Sequence, residues 1–222
     1  MRTRPLVQSP DPNSQPPAPP WRNRVTPCGD IVAVGGRGTL TGNRGVLIDA
    51  DRRLVRDSQV RRWIACELTF RGRQRAVMTP GKWTELFFLD EATALAAGHR
   101  PCAECRNADY RAFQAAWQRA FPAAPVHAAA MDAVLHAERR LGPWRKRTYR
   151  TEIGDLPDGT YVALDGAAWL VRDRVLCGWS DVGYRSRRPR PDHGEVTVLT
   201  PPSIVAVLGA AYRVRLHPSA MD

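Results

Sequence analysis

Long apolar runs are missing from this 222-residue sequence. No stretch approaches the ~20 apolar residues that a membrane-spanning helix needs, so we expect no membrane partner. The first 20 residues carry charge but no apolar segment of the kind found in secretory signals. Because the five cysteines, an odd number, occur without an export signal, we expect a reducing, cytoplasmic location and no disulfide scaffold.

Lysine is nearly absent as well. Lys82 and Lys146 are the only lysines, so arginine provides 31 of the 33 basic residues. Against 22 acidic residues, this gives a net charge of +11. Such an excess favours an anionic partner, although a GC-rich genome raises arginine content whatever the function. The composition alone leaves open whether these arginines bind a polyanion or only form solvated surfaces.

The other residues have the composition of an ordinary globular protein, with 43% hydrophobic residues. The patterning predicts an α+β fold, with antiparallel hairpins, a central helical segment and a small C-terminal β meander. We expect a disordered proline-rich tail at 1–20, an α+β metal-binding lobe at 21–150 and a small β-rich lobe at 151–222.

The local pattern also predicts where the elements lie. Strands are expected at 31–34, 46–48, 63–70, 76–78, 86–89, 161–164, 168–171, 175–177 and 196–199. Helices are expected at 91–97, 103–121, 129–141 and 203–210. The run 71–73 is expected to turn a hairpin from 63–70 into 76–78, and the arginine-rich run 185–191 is expected to break the C-terminal meander.

Cys102 and Cys105 are the residues with the most specific spacing. Two cysteines separated by two residues, on a turn that leads into a helix, can place both sulfurs on one tetrahedral ion. No second Cys-x-x-Cys is present, so further ligands must come from Cys66, Cys28, His99, His127 or His136. Packing is the alternative role, and a redox role is less favoured because no thioredoxin-like strand precedes the motif.

The segment that contains this pair resembles a known family. It reads Phe-Phe-Leu-Asp-Glu-Ala at 87–92 and Ala-Leu-Ala-Ala-Gly-His-Arg-Pro-Cys-Ala-Glu-Cys at 94–105. This order of a strand, an acidic helix and Gly-aromatic-Arg-Pro-Cys-x-x-Cys resembles the second half of the Ada-type zinc domain. That domain is a DNA-repair module in which a zinc-bound thiolate takes methyl groups from DNA phosphates, and related domains are attached to bacterial nucleases. The resemblance implies Zn²⁺ on Cys102 and Cys105, and DNA as partner.

The resemblance covers about twenty residues and stops short of the family's upstream cysteine pair. At that place the chain reads Arg-Gly-Arg-Gln-Arg at 71–75, so the methyl-accepting cysteine has no counterpart. The nearest upstream thiol is Cys66, which the strand pattern allows as either a third ligand or a small buried hydrophobe. His99 takes the family's aromatic position, which favours packing over metal ligation.

Basic residues cluster beside aromatic ones in several segments. The candidates for nucleic-acid contact are Arg37, Arg44, Arg71, Arg73, Arg75, Arg145, Lys146, Arg147, Arg187 and Arg188. Arginine next to exposed rings suits phosphate neutralisation and base stacking. The loop 37–45 could also present backbone N–H groups to a phosphate, although turn formation explains its glycines as well.

Asp132, His136 and Glu138 form the one compact acid/base group in the sequence. Asp132 and His136 are four residues apart, so on a helix the carboxylate could orient the imidazole. Such a base could activate water, although pairs of this kind commonly stabilise a helix surface. The leading hypothesis is therefore a zinc-binding, arginine-rich, Ada-like DNA-binding protein. A nuclease- or glycosylase-type enzyme that uses this group and a non-catalytic module that docks an acidic protein are the alternatives.

Overall fold

The computed structural model describes residues 19–72 and 76–221. Within these ranges the fold is α+β, as the sequence predicts, with two six-stranded sheets, one two-stranded hairpin and four α-helices. Residues 1–18 of the predicted tail, and the candidate contact residues Arg73 and Arg75, lie outside the described residues.

The first sheet is mixed and is formed by the N-terminal part of the chain. Its strands are β1 (Arg22–Val25), β2 (Ile31–Ala33), β3 (Leu40–Asn43), β4 (Ile64–Glu67), β5 (Leu86–Phe88) and β6 (Arg100–Pro101). They lie in the order β2-β1-β5-β3-β4-β6. The β1–β5 and β4–β6 pairs are parallel, and the other pairs are antiparallel. The parallel β4–β6 pair brings the chain after β6 beside β4.

Two predicted strands of this region are wrong. The segment 46–48 forms only an isolated bridge between Ile48 and Leu54, and β3 occupies the place in the sheet instead. The predicted return strand at 76–78 is absent from the described residues, and Met78 has a left-handed backbone with φ of +58°. The physical reason is that β3 and β6 already occupy both edges of β4, which leaves no edge for a hairpin partner.

The helices follow the sequence pattern closely. They are α1 (Glu91–Ala96), α2 (Asn107–Ala120), α3 (Ala128–Arg139) and α4 (Pro202–Gly209). Asp90 caps α1 because its Oδ1 accepts the Thr93 amide at 2.9 Å. Gly98 follows the end of α1 with φ of +89°, and a Cβ there would lie 2.6 Å from the Arg139 side chain. Among the described residues, no helix has both the length and the apolar character that a membrane crossing requires.

The second sheet is entirely antiparallel and contains the predicted meander. The hairpin that precedes it consists of β7 (Arg140–Gly142) and β8 (Arg145–Lys146). The strands of the second sheet are β9 (Tyr149–Glu152), β10 (Tyr161–Leu164), β11 (Ala167–Arg172), β12 (Val175–Ser180), β13 (Gly183–Pro189) and β14 (Glu195–Val198). The order in the sheet is β13-β12-β11-β10-β14-β9. The predicted break at 185–191 is wrong, because β13 continues the sheet. It is an edge strand on which Arg185 and Arg187 are exposed, while Arg188 packs over the Trp169 ring and pairs with Asp165.

The short helix α1 is buried on all sides and joins three apolar cores. Ala94 packs with the first sheet, Leu95 with α2, α3 and α4, and Ala92 with the second sheet. Val134 and Leu141, which the helix pattern predicts to be buried, are exposed. Two of these cores combine residues from both sides of the predicted lobe boundary near residue 150. The core of the first sheet, whose edge carries the site described next, is formed by residues between 25 and 97.

Candidate metal centre

Three cysteines meet at the edge of the first sheet. Cys66 lies in β4, and Cys102 and Cys105 follow β6, with all three sulfur atoms within 4.8 Å of one another. The parallel pairing sets Ala65 opposite Pro101, and the Cys102 amide donates to the Ala65 carbonyl oxygen at 2.9 Å. The strand pairing therefore brings Cys66 to the Cys-x-x-Cys turn.

This donor set fits a soft metal ion. A tetrahedral Zn²⁺ with Zn–S bonds of ~2.3 Å places its sulfur ligands about 3.8 Å apart, which is compatible with three thiols that lie within 4.8 Å of one another. Thiolates select Zn²⁺, Cu⁺ or iron over Mg²⁺ or Ca²⁺. Cys66, which the sequence left undecided between ligation and packing, is thus placed where it can join the other two around one ion.

The three thiols differ in acidity because they share protons. The Cys66 thiol donates to the Cys102 sulfur, which lowers the pKa of Cys102 to about 5, with help from the backbone amides of Cys105 and Glu104. The same bond, together with burial, raises the pKa of Cys66. Burial also raises the pKa of Cys105. Binding a metal ion to all three sulfurs therefore releases protons from Cys66 and Cys105.

A buried ion-pair network holds the Cys-x-x-Cys turn in place. Arg106 follows Cys105 directly, and its Nη2 donates to Glu91 Oε1 at 2.6 Å while its Nε donates to Asp109 Oδ2 at 2.9 Å. Glu91 Oε1 also accepts the Tyr212 hydroxyl at 2.7 Å. Because the carboxylates of Glu91 and Asp109 offset the burial of Arg106, they raise the pKa of this guanidinium. The turn is tied to α1, to α2 and to the chain after α4.

A cleft of about 210 Å³ opens beside the sulfurs. The thiols form part of its wall, and the rest of the wall is largely apolar. Its other lining residues are Thr41, Gly42, Ile64, Glu67, Leu68, Phe70, Val77, Trp83, Glu85, Phe87 and Glu104. Concave apolar sites with a few polar groups are where small ligands bind. The sequence interpretation missed Trp83, Glu85 and Phe87 as site residues, because only the strand order places them near the cysteines.

His99 is not part of the thiol cluster. Its ring is fully buried between Trp63 and Phe88, with ring centroids 5.1 and 4.6 Å away, and its Nε2 accepts Arg44 Nε at 3.4 Å. Burial and the charge of Arg44 hold the pKa of His99 well below its usual value. The packing interpretation fits this geometry, and metal ligation by His99 does not.

The predicted acid/base group does not assemble. Asp132 is buried and accepts two hydrogen bonds from Arg100, at 2.9 and 2.8 Å. Glu138 Oε2 accepts the backbone amide and the hydroxyl of Ser203, at 3.0 and 2.5 Å. His136 lies beside Arg139, and burial and that cation lower the pKa of the imidazole. Each of the three groups thus has its own structural partner, which favours a structural role over a catalytic one.

The structure divides the predicted nucleic-acid contacts into two groups. Arg37, Arg71, Arg145, Arg147 and Arg187 are exposed, and Arg188, partly exposed, pairs with Asp165 at 2.7 Å. Arg44 and Lys146 differ from these, since both turn into the protein: Arg44 is buried, and Lys146 donates to the Ala96 carbonyl oxygen at 2.6 Å.

Comparison with known proteins adds no relative. No family model matches the chain, and neither the curated proteins nor the solved structures contain a significant match. The resemblance to the Ada-type domain therefore rests on the residues quoted from 87 to 105, and stays a prediction.

Proposed function

We propose that this protein binds one Zn²⁺ through Cys66, Cys102 and Cys105 and contacts nucleic acid through its exposed arginines. The observation that carries the proposal is the three-thiol cluster beside an open cleft. The order of elements around Cys102 and Cys105, with its likeness to the Ada-type domain, favours zinc and DNA over other metals and polyanions.

The metal site has a structural part and a part facing the cleft. Three sulfurs tie β4 to the turn before α2, so metal binding stabilises the fold at this edge of the sheet. Zn²⁺ with three protein ligands keeps one coordination position for a ligand, and as a Lewis acid it can polarise that ligand. The apolar lining of the cleft restricts which ligand can reach this position.

The surface around Trp144 supports the nucleic-acid part of the proposal. Trp144 lies at the tip of the β7–β8 hairpin with 49% of its surface exposed, and the exposed Arg145 and Arg147 follow it in the chain. The guanidinium carbon of Arg22 lies 5.9 Å from the Trp144 ring centroid. An exposed ring among guanidinium groups offers stacking to a base and charge to phosphates.

The test is the metal content of the full chain, purified without an affinity tag and measured by elemental analysis. We expect about one zinc per chain in the wild type and a loss of most of it in Cys102→Ser. Cys28→Ser is the matched control, since Cys28 is a half-buried cysteine outside the cluster. A folded wild-type protein that contains no metal and binds none on titration with Zn²⁺ would overturn the proposal.

A further inference from the structure

A second, smaller pocket lies away from the thiol cluster, between the β7–β8 hairpin, the turn after β1 and the end of α1. Its volume is about 30 Å³. Five basic residues line it: Arg44, Arg139, Arg140, Arg145 and Lys146. Among the described residues, only two carboxylates, those of Asp30 and Asp57, line the same pocket, which leaves an excess of three positive charges.

Arg44 is the innermost of these cations. Only 1% of its surface is exposed. Its Nε donates to His99 Nε2 and its Nη1 donates to the Gly29 carbonyl oxygen at 3.0 Å. Its Nη2 is buried and has no hydrogen-bond partner among the described residues. A buried guanidinium with an unused donor is costly, which points to a ligand that completes its hydrogen bonds.

A second buried guanidinium lies close to the first. The indole ring of Trp63 is in contact with both, at 4.0 Å from the ring centroid to Arg44 Cζ and 3.8 Å to Arg139 Cζ. Arg139 donates to the carbonyl oxygens of Gly98 and Arg61. Neither guanidinium forms an ion pair with a carboxylate in the described part of the chain. Their close partners are therefore the Trp63 ring, the His99 ring nitrogen and backbone carbonyl oxygens, while the nearest carboxylates act only from a distance.

The other basic residues of the pocket are compensated to different degrees. Arg140 Nη2 pairs with Asp57 Oδ1 at 3.3 Å, and Asp57 also accepts the Trp144 amide. Lys146 Nζ donates to the Ala96 carbonyl oxygen, which leaves two of its three protons for another acceptor. Burial lowers the pKa of Lys146 to about 7, and the charge of Arg44 adds to this effect. A bound anion would supply the countercharge that offsets burial and the repulsion by Arg44.

We propose that this pocket binds a phosphoryl group, either free phosphate or the terminal phosphate of a nucleotide chain, between Arg44 and Lys146. The planar fork of arginine matches the oxygens of a phosphate, and the ammonium of lysine adds a point charge. The volume exceeds the ~10–15 Å³ that one water needs, but it cannot take the two sugars that flank an internal phosphodiester. Trp144 lines the same pocket and offers its exposed ring to a base attached to the phosphate.

The phosphate proposal does not depend on the zinc site, so either proposal can be wrong while the other holds. The first experiment is calorimetric titration of the full chain with inorganic phosphate, at constant ionic strength set with chloride. A second arm uses a short single-stranded oligonucleotide with a 5′-phosphate, and the same oligonucleotide with a 5′-hydroxyl. Tighter binding of the 5′-phosphorylated oligonucleotide than of the 5′-hydroxyl one identifies the terminal phosphate as the source. Equal binding of these two oligonucleotides, with saturable binding of inorganic phosphate, identifies free phosphate.

The chain offers a matched pair of variants, because Lys82 is its only other lysine and is exposed. We expect Lys146→Met to weaken phosphate binding by about tenfold, the loss of one charge-assisted hydrogen bond, and Lys82→Met to leave it unchanged. Absence of saturable phosphate binding in the wild type, or equal binding by the two variants, would overturn the proposal.

Chemical labelling gives a test that needs no variant to fold. The wild-type protein is treated with an amine-specific reagent at pH 8, with and without phosphate, and the two lysines are quantified by mass spectrometry. We expect phosphate to protect Lys146 and to leave the labelling of Lys82 unchanged. If phosphate changes the labelling of neither lysine, the pocket does not hold the anion.

Discussion

The backbone amide of Cys102 donates to the carbonyl oxygen of Ala65 at 2.9 Å, and this hydrogen bond joins the Cys-x-x-Cys turn to the strand that contains Cys66. This bond belongs to the parallel pairing of β4 with β6. Cys66 lies in β4, and Cys102 directly follows β6. A metal ion on the three sulfurs would therefore join two chain segments that are far apart in sequence. Because the unfolded chain does not hold the three sulfurs together, the ion binds the folded protein preferentially and stabilises it.

Metal removal should therefore destabilise the protein. A ligand present at a thousand times its dissociation constant adds about 4 kcal/mol to the free energy of unfolding, which in a chain of this size corresponds to roughly 10 °C in the unfolding midpoint. We expect a strong chelator to lower the midpoint of the wild type by about this amount, and to leave that of Cys66→Ser unchanged. Thermal unfolding followed by circular dichroism measures both. An equal chelator effect on the two proteins would contradict a role for Cys66.

The sequence predicts one half of this site better than the other. Cys102 and Cys105 are close in sequence, so their spacing alone indicates a shared ion. Cys66 lies in a strand, where alternation shows which side chains share a face but not which strand lies next to it. Only the non-local pairing of β4 with β6 decides that Cys66 joins the cluster, and no local pattern encodes this pairing.

The partners of the basic and acidic residues also come from distant parts of the chain, so the sequence could not predict them. Local spacing puts Asp132 and His136 on one helix, but Asp132 takes its partner, Arg100, from a strand of the first sheet. Composition likewise cannot separate the exposed Arg147 from Arg44, which lies inside the protein. Helix ends and the C-terminal meander were predictable because they depend on caps, turns and periodicity within a few residues.

Replacing Asp132 should lower the free energy of unfolding. Asp132→Asn leaves the buried guanidinium of Arg100 without its countercharge, and we expect a loss of about 3–5 kcal/mol in the free energy of unfolding. The double variant Arg100→Met with Asp132→Leu should lose less than the single one, because it buries no unpaired charge. Urea denaturation measures all three proteins. His136→Gln is the control on the same helix, expected to stay within about 0.5 kcal/mol of the wild type, and a double variant less stable than Asp132→Asn would contradict the argument.

Nucleic-acid binding should depend on salt through the exposed arginines. Arg147→Gln is expected to lower the slope of log affinity against log salt by about one, since one phosphate contact is lost. Arg53→Gln is the matched control, because Arg53 is exposed but its charge is already paired with Asp51 at 3.4 Å. Fluorescence anisotropy of a labelled DNA at several salt concentrations gives the slopes. Identical slopes in the wild type and Arg147→Gln would place the contacts elsewhere.

His99 should make the protein sensitive to mild acid. Its pKa in the folded protein lies well below 6.5, so in acid the unfolded chain binds a proton that the folded protein does not. The contribution of His99 to stability is therefore fully present above pH 6.5 and is lost as the pH falls below this value. The contribution of His99 to the free energy of unfolding therefore falls steadily as the pH drops from 6.5 to 5.

The variant His99→Phe isolates this contribution. At pH 8 we expect it to be less stable than the wild type, because Arg44 Nε loses its acceptor in a buried site. As the pH falls to 5 the wild type loses the contribution of His99 and the variant does not, so the difference in their free energies of unfolding should narrow. Urea denaturation of both proteins at pH 8, 6.5 and 5 measures this difference. If the difference in free energy of unfolding between the two proteins stays constant over this range, His99 has the same pKa in the folded and the unfolded protein. Its burial beside Arg44 and Arg139 would then not lower its pKa.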